Sequence, residues 1–534
     1  MSHSSPNATL NALGQESSLL LLIQKLPSPL IYCLGLASGA IGVTSFSPFN
    51  FGPNYFFSLF IFSLFIMTSP SAKAAFWRGL SVALGFFGAG VSWVYVSIAE
   101  YGQVSSFIAC AITFAFVALL SLFWGCSAWL AWLSSKKLPL LPRGLIISLF
   151  LLLAEFARST LFTGFPWLLP GYATENTWLF ELLPIGGIWL NSAIVVLTAC
   201  SVAELFLSIH NLSTRHLRQG ITENKAFTFV ILPIWCLSAV LSYLPISWVE
   251  QTGSLKTTLV QGNVKQDEKW LADMARESLS YYQQATMNHL NSDLVVWPET
   301  AITYLYPQIK PYLAPFSKEL SESDTTLITG IPDLSEDKTQ YYNAILATGN
   351  GFGLYYKQRL VPFGEYIPLS DLLGPILDLF QMPISAFKSG EKNQPVLQVG
   401  EWGIAPFICY EIVYAEQVRS MVRDSDVLIT ISNDAWFGSS IGPWQHLQIA
   451  QFRAKEAGRY VIRSTNTGLT AIINERGEIT DQAPQFQRTT LTANVKTFAG
   501  ITPYVQWGYL PTISLIFLCL VASLRWNRRS KKDI

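Results

Sequence analysis

SSFIACAITFAFVALLSLFWGCSAWLAWL, residues Ser105 to Leu133, contains no charged side chain. A hydrocarbon core about 30 Å thick is crossed by roughly 20 apolar residues of helix, and this stretch is longer than that. The competing reading is a buried core helix of a large soluble domain. An uncharged run of this length disfavours it. Working outward, similar runs occur at about 29–47, 54–69, 79–99, 144–166, 182–203 and 227–246, with an eighth near 507–524. The expected architecture of the first half is therefore a bundle of membrane helices.

Composition agrees. The chain has 534 residues, of which 50% are hydrophobic and 13% charged, and its mean hydropathy is +0.34. Soluble domains carry roughly 25% charged residues. A wholly soluble, disordered, collagen-like or coiled-coil protein is excluded on these grounds. Lys and Arg balance Asp and Glu at 35 against 35, so no basic excess points to nucleic acid. The distribution is uneven. Residues 1–250 hold 18 of the charged side chains, and the first Asp is Asp267. Two solvents have shaped the two parts.

Basic residues mark cytoplasmic loops. Lys73 and Arg78 lie between the second and third runs, and Lys136, Lys137 and Arg143 between the fourth and fifth. Arg215, Arg218 and Lys225 lie between the sixth and seventh, and Arg525, Arg528, Arg529, Lys531 and Lys532 follow the last. The alternate loops carry Glu100, Glu175 and Glu181 and no basic residue. This pattern predicts eight spans with both termini cytoplasmic and residues 250–505 outside. The polar first 18 residues lack a basic n-region, so the first span is expected to act as an uncleaved start signal. Gly85, Gly88 and Gly90 would permit close helix contact. Glu155 and Arg158 lie inside the fifth run, where charge is costly and points to function. A local (i, i+3) ion pair is the equally weighted alternative.

From about Leu255 short apolar runs alternate with polar helical stretches. Leu255–Val264, Asp293–Trp297, Thr325–Ile331, Tyr341–Thr348, Gly353–Leu360, Gly403–Cys409 and Asp426–Ser432 read as strands. Residues 269–290 and 444–460 read as amphipathic helices. A layered α/β domain without internal sequence repeat follows. Of seven cysteines, Cys33, Cys110, Cys126, Cys200, Cys236 and Cys519 fall in predicted spans, and only Cys409 lies in the outer domain. A lone exported cysteine is either an inert buried residue or a reactive thiol. Its position at a strand end favours a site. A thiol attacking a carbonyl needs a base and a stabiliser for the oxyanion. Glu299 and Lys357, also at predicted strand ends, are candidates for these roles.

Glu299, Lys357 and Cys409, in this order, resemble the Glu-Lys-Cys triad of the nitrilase superfamily. Longer strings are more specific: Val260-Gln261-Gly262-Asn263-Val264, Trp297-Pro298-Glu299-Thr300-Ala301, Leu360-Val361-Pro362-Phe363-Gly364-Glu365-Tyr366, and Ile408-Cys409-Tyr410-Glu411. With Ser432–Gly438, Gly442–His446, Ser45–Phe49 and Gly90–Tyr95, they resemble the apolipoprotein N-acyltransferase family over nearly the whole chain. Thr303 departs from the proline common at its position, without touching the triad.

The resemblance implies an integral enzyme of the bacterial inner membrane, expected as a monomer without cofactor or metal. About eight transmembrane helices would accompany an α/β nitrilase-like α-β-β-α sandwich domain. The expected division is a polar cytoplasmic N-terminus (1–18), a seven-helix membrane domain (19–250), a periplasmic catalytic domain (251–500), and a final helix with a basic cytoplasmic tail (501–534). Its partners would be a glycerophospholipid acyl donor, the diacylglyceryl-cysteine amine of apolipoproteins, and membrane lipids.

The resemblance also distributes roles. Glu299 would be the base, Cys409 the nucleophile of a thioester ping-pong reaction, and Lys357 an oxyanion stabiliser. Glu365, Glu411 and Tyr410 would support the site, with a structural salt bridge as the alternative for Glu365. Trp270 and Trp436 would border the lipid entrance, with core packing as the alternative. His446 is expected as a structural donor. A thioester must be kept from water, so the triad face is expected to point at the membrane beneath aromatic-bearing loops. A membrane-tethered nitrilase-type amidase would use the same triad. A transporter would show repeats and polar spans, and a degenerate binding module would lack an intact triad.

Overall fold

A computed structural model describes residues 26–102, 104–137, 142–210, 231–244, 246–362, 364–366, 387–518 and 521. The polar N-terminus 1–18, Arg215, Arg218, Lys225, Phe363, Cys519 and the basic tail lie outside the described residues.

The first half is helical, with helices Ser28–Gly42, Pro53–Met67, Ala72–Gly90, Trp93–Tyr101, Ser106–Lys137, Arg143–Thr160, Leu183–His210 and Ile231–Tyr243. Among the described residues, four helical stretches are long and apolar enough to cross a membrane, or five if the bent pair Ala72–Gly90 and Trp93–Tyr101 is one span. Pro53–Met67 and Ile231–Tyr243 are apolar but shorter. The expected count of about eight therefore stands at four or five helices of spanning length. Part of the seventh run and part of the eighth fall outside the described residues.

Two differences from the sequence reading have local causes. The run 79–99 is one predicted span, yet the chain bends by 53° after Gly90. The bend delivers Trp93 onto Phe437 (ring centroids 4.7 Å apart) and Trp167 (5.2 Å) of neighbouring segments. The fifth run ends at Thr160 rather than 166. Beyond it Phe162, Thr163, Gly164 and Leu168 all take positive φ, a conformation that continues no helix and costs about 1–3 kcal/mol per non-glycine residue. Of the three glycines expected to allow close contact, Gly85 does so: an added Cβ would meet the Leu36 carbonyl at 2.0 Å. Gly88 has only an ordinary contact, with Val117.

The outer domain is a sandwich. Its strands are β1 (Glu250–Gln261), β2 (Leu294–Val296), β3 (Thr326–Leu334), β4 (Tyr341–Gly349), β5 (Gly351–Tyr356), β6 (Leu397–Val399), β7 (Trp402–Ile408), β8 (Val427–Ser432), β9 (Val461–Thr465), β10 (Ala471–Ile473), β11 (Ile479–Gln482) and β12 (Thr489–Ala499). They form one ladder in the order β11-β10-β9-β8-β7-β6-β5-β4-β3-β2-β1-β12. β1 touches β9, β12 touches β8, and β4 touches β7, so the ladder folds over into two facing sheets joined at β5–β6. Each sheet has a parallel trio, β1-β2-β3 or β7-β8-β9, followed by antiparallel β3-β4-β5 or β9-β10-β11. The repeat absent from the sequence is present in the topology. Every residue of β2 and β8 is buried, as expected for parallel strands covered on both faces.

Helices cover the sheets. Ala272–Met287 packs on β1, and Tyr306–Glu322 on β3 and β4. The latter carries Pro311 and Pro315 on its exposed face and Leu313, Phe316 and Leu320 on its buried one. The carbonyls that lose a donor to proline thus lie toward solvent, which explains a helix that the sequence pattern conceals.

The stretch 444–460 reads as an amphipathic helix; the helix runs over Gly442–Ala457, and its surroundings differ from that reading. Nearly every side chain in it is buried, Arg453, Lys455 and Glu456 included. One side packs on β9 and β10, and the other meets the membrane helix Leu183–His210. Its polar residues make the junction: Lys455 pairs with Glu181 at 2.8 Å, Gln448 donates to Glu175 at 2.6 Å, and Glu456 accepts from the Ile188 amide at 2.6 Å. The polar face is an interdomain surface instead of a solvated one.

Candidate active site

Three strand ends on the two sheets converge. Glu299 follows β2, Lys357 follows β5, and Cys409 follows β7. Glu299 and Lys357 are nearly inaccessible, at 7% and 1% exposure, whereas Cys409 keeps part of its surface open. Cys409 sits at φ 52° and Thr300 at φ 46°. Both turns are left-handed, a conformation side chains avoid unless the surroundings impose it.

The centre of the cluster is Asn343 of β4. Its amide donates to Glu299 Oε1 at 2.8 Å and to Glu365 Oε1 at 3.2 Å. Lys357 Nζ donates to Glu365 Oε1 at 2.8 Å and lies 3.5 Å from Glu299 Oε1. Glu299 Oε2 accepts from the Asn433 amide at 2.8 Å. Glu365 Oε2 accepts from the Val361 amide at 2.8 Å. One strong bond and one long one leave Lys357 with N–H capacity for a further acceptor.

Electrostatics set the resting protonation. Burial works against the Lys357 ammonium, but Glu365 and Glu299 outweigh it and hold its pKa above the ordinary lysine range. Burial pushes the Cys409 thiol up, Glu299 adds to this, and Lys357 opposes it only in part. Cys409 therefore rests as a thiol, and a base must remove its proton when it reacts.

Glu411 has a different place. It is fully buried, and burial raises its pKa. It accepts from the amides of Gln358 (2.7 Å), Arg359 (3.1 Å) and Ile408 (2.8 Å), and from Tyr355 and Gln417. It ties the backbone after Lys357 to the backbone before Cys409 and touches neither side-chain terminus. His446 Nε2 lies 3.1 Å from the Cys409 carbonyl. Its Nδ1 faces Asp434 and Arg463, and burial followed by Arg463 lowers its pKa. A neutral ring against the Cys409 carbonyl fits the structural-donor expectation for His446.

The aromatic candidates differ in their surroundings. Tyr410 is half-buried, its ring 6.4 Å from those of Phe165 and Trp167. Trp270 and Trp436 are 53% and 40% exposed, which sets aside core packing for both. Trp436 packs edge-on against Tyr101 at 5.1 Å, and its carbonyl accepts from Ser97. Lys269, beside Trp270, is buried, with Nζ 3.0 Å from the Glu299 carbonyl and bonded to Thr300 Oγ1.

Sequence reasoning missed Asn343, Lys269 and Gln445. Asn343 carries a usable signal, as an amide in an otherwise apolar and aromatic strand centre. Gln445 accepts from the indoles of Trp93 (3.2 Å) and Trp167 (2.6 Å), a junction that no spacing reveals.

Comparisons with known proteins bear on both halves. The family model for carbon-nitrogen hydrolase matches residues 256–500. That for the apolipoprotein N-acyltransferase N-terminal domain matches residues 38–201. An apolipoprotein N-acyltransferase of Azotobacter vinelandii is 40% identical over 505 residues, covering 93% of this chain and 95% of that protein. One from Pseudomonas aeruginosa is 38% identical over 499 residues, covering 92% and 95%. The crystal structure of a carbon-nitrogen hydrolase from Helicobacter pylori is similar with a TM-score of 0.35 at 15% identity, over 48% of this chain and 94% of that one.

Proposed function

The chain belongs to the apolipoprotein N-acyltransferase family and is an acyltransferase of lipoprotein maturation; we propose that Glu299, Lys357 and Cys409 carry its chemistry, with a glycerophospholipid as acyl donor. The observation that carries this reading is the convergence of Glu299, Lys357 and Glu365 on Asn343, beside a thiol in a left-handed turn.

In the first half-reaction Glu299 takes the Cys409 proton while sulfur bonds to the ester carbonyl carbon. The free N–H capacity of Lys357 stabilises the oxyanion. The carbon–oxygen ester bond then breaks, and the leaving alkoxide takes the proton from Glu299 as lysophospholipid departs. In the second half-reaction the lipoprotein amine attacks the thioester carbon. Its proton passes to Glu299, the carbon–sulfur bond breaks, and Cys409 recovers a proton. Glu365 holds Lys357, and Glu411 and Tyr410 position the elements around the thiol.

A bacterial inner-membrane location fits the apolar helices and the relatives. A periplasmic catalytic domain with cytoplasmic termini is supported by which loops meet the outer domain. The contacts run through Ser47, Ser97, Tyr101, Gly164, Glu175, Glu181 and Ile188. Lys136 and Lys137 end the helix Ser106–Lys137, and Arg143 begins the next, at the opposite end of that helix from the preceding segment Trp93–Tyr101. A helix of that length spans about 48 Å. The stacking of Tyr410 on Phe165 and Trp167 supports a site facing the membrane half.

Incubating the purified chain with phospholipid, then with a diacylated lipopeptide, tests the reading by mass spectrometry. An acyl adduct on Cys409 that passes to the lipopeptide amine is expected. Release of free fatty acid without transfer would favour a hydrolase, and an adduct elsewhere would refute Cys409 as nucleophile.

A further inference from the structure

The Glu155–Arg158 pair remains outside the chemistry just described. It is fully buried, and its bonds lead away from its own helix. Glu155 Oε1 accepts from the indole of Trp124, and Oε2 from Arg158. The other arm of Arg158 donates to two carbonyls beyond the helix end, those of Phe165 and of Trp167, the latter at 3.0 Å. A local ion pair would have no need of the second set. The segment these bonds hold is the one in which Phe162, Thr163, Gly164 and Leu168 take positive φ. At Gly164 a Cβ would meet the Ser159 carbonyl at 1.9 Å. Such backbone persists only where several contacts impose it.

The far side of that segment meets the nucleophile's surroundings twice. The Gly164 carbonyl accepts from the hydroxyls of Tyr410 and Tyr414, both at 3.3 Å. Phe165 and Trp167 lie nearly parallel to the Tyr410 ring, at 23° and 17°. Trp167 also lies 5.7 Å from the ring of His446, which holds the Cys409 carbonyl. Both the residue after Cys409 and the group that fixes its carbonyl lean on one loop, and Arg158 fixes that loop.

We infer that Glu155 and Arg158 are positioning residues for the nucleophile: the pair makes loop 161–169 of the membrane half a rigid ledge that sets Tyr410 and the left-handed turn at Cys409. The inference rests on Cys409 being the nucleophile. A guanidinium suits the task because its fork serves a carboxylate and two carbonyls at once, which an ammonium does not.

The test uses the full-length chain in detergent or proteoliposomes, with R158M, R158K and the charge-neutral E155Q/R158M. The rate of acyl-Cys409 formation, the KM for phospholipid and the thermal transition are read together. R158M is expected to slow adduct formation by about tenfold or more, because small misplacements of reacting groups cost that much. Its KM stays within about twofold, since the effect is on geometry and not on lipid binding. R158K falls between wild type and R158M. E155Q/R158M regains part of the stability that R158M loses, since no buried charge is left unpaired, but keeps the slow rate. Recovery of both stability and rate in the double variant would reduce the pair to a structural role and overturn the inference. So would a wild-type rate in a folded R158M, or a loss confined to KM. If the wild-type chain itself forms no adduct, the reading of Cys409 falls first and this inference with it.

Discussion

In the membrane half, the two ends of the Glu155–Arg158 pair are tied to protein partners: the carboxylate takes an indole and a guanidinium, and the guanidinium takes two further carbonyls, with only Arg158 Nε left unpaired. In the outer half, the buried charges of Glu299, Lys357 and Glu365 are shared more loosely. Lys357 makes one bond of 2.8 Å and one of 3.5 Å, and the thiol beside it remains partly accessible. Both clusters avoid the cost of a lone buried charge. The difference lies in what is left over. A cluster whose carboxylate and terminal guanidinium nitrogens are all bonded to the protein holds backbone in place and lies away from any substrate. An unsaturated one keeps donor capacity for a charge that appears only during reaction, which is what lowers a barrier.

Removing the thiol beside this unsaturated cluster should have the largest effect. Cys409→Ser is expected to abolish the acyl adduct and reduce transfer by at least ~10⁴-fold, the scale seen when a nucleophile that acts as part of a unit is lost. Radiolabelled phospholipid and gel fluorography of the lipopeptide product measure it, and transfer near wild-type rates would break the comparison at its base.

Glu299→Gln comes next, with a loss of roughly 10²–10⁴-fold, the usual worth of a general base. A second readout moves the other way. The Glu299 charge raises the Cys409 pKa while Lys357 lowers it, so removing the carboxylate charge lowers that pKa and enlarges the thiolate fraction at neutral pH. Alkylation of Cys409 by iodoacetamide at pH 7 should therefore be faster in the variant even though its acyl transfer is slower. In the wild type, alkylation should keep rising with pH beyond the ordinary thiol range. Slower alkylation of E299Q would contradict the electrostatic account while leaving the loss of transfer unexplained.

A smaller loss is expected at Glu411, a positioning residue. Glu411→Gln places N–H groups where three amides, a hydroxyl and the Gln417 amide need an acceptor. Stability should fall by ~1–3 kcal/mol, as for unsatisfied buried polar groups, and kcat by about tenfold through misplaced strand ends. Thermal unfolding paired with steady-state kinetics separates the two. An effect on phospholipid KM alone would move Glu411 from the scaffold to the lipid site.

These groups differed in how legible they were. Glu299, Lys357 and Cys409 stood at strand ends within distinctive strings, and most predicted strands were right to within a few residues. Local alternation is what the sequence records. Long-range closure is not local: the facing of β1 on β9, the burial of both faces of Gly442–Ala457, and the reach of Arg158 to Phe165 and Trp167 depend on segments far apart in the chain. The charges of Lys455 and Glu456 made that helix look solvated, because composition cannot tell water from a polar partner domain. The bend after Gly90 was hidden for a related reason. Both arms are apolar, and the turn is explained by partners far away in the chain, among them Phe437, Gln445 and Trp167, which receive Trp93.

Lys269 provides the finest and smallest test, because it is a buried cation with no carboxylate bond of its own. Its Nζ reaches the Glu299 carbonyl and the Thr300 hydroxyl, and burial lowers its pKa to about 8 against partial support from Glu299. Lys357, equally buried, moves the opposite way because two carboxylates face it. The consequence for stability has a definite sign. Between pH 8 and the ordinary lysine range near 10.5 the unfolded chain holds the proton that the folded chain has released, so stability rises with pH across that window. The charged form at pH 7 carries a penalty on the order of 3 kcal/mol. Lys269→Met removes this penalty but leaves the Glu299 carbonyl and Thr300 without a donor, a loss of ~1–3 kcal/mol. The two nearly cancel. The thermal transition of K269M at pH 7 should lie close to that of the wild type, whereas the wild-type gain between pH 8 and 10.5 should be absent in the variant. A variant transition that tracks the wild type across that window would show that Lys269 keeps its proton there, and the two carboxylates facing Lys357 would then no longer separate the two lysines.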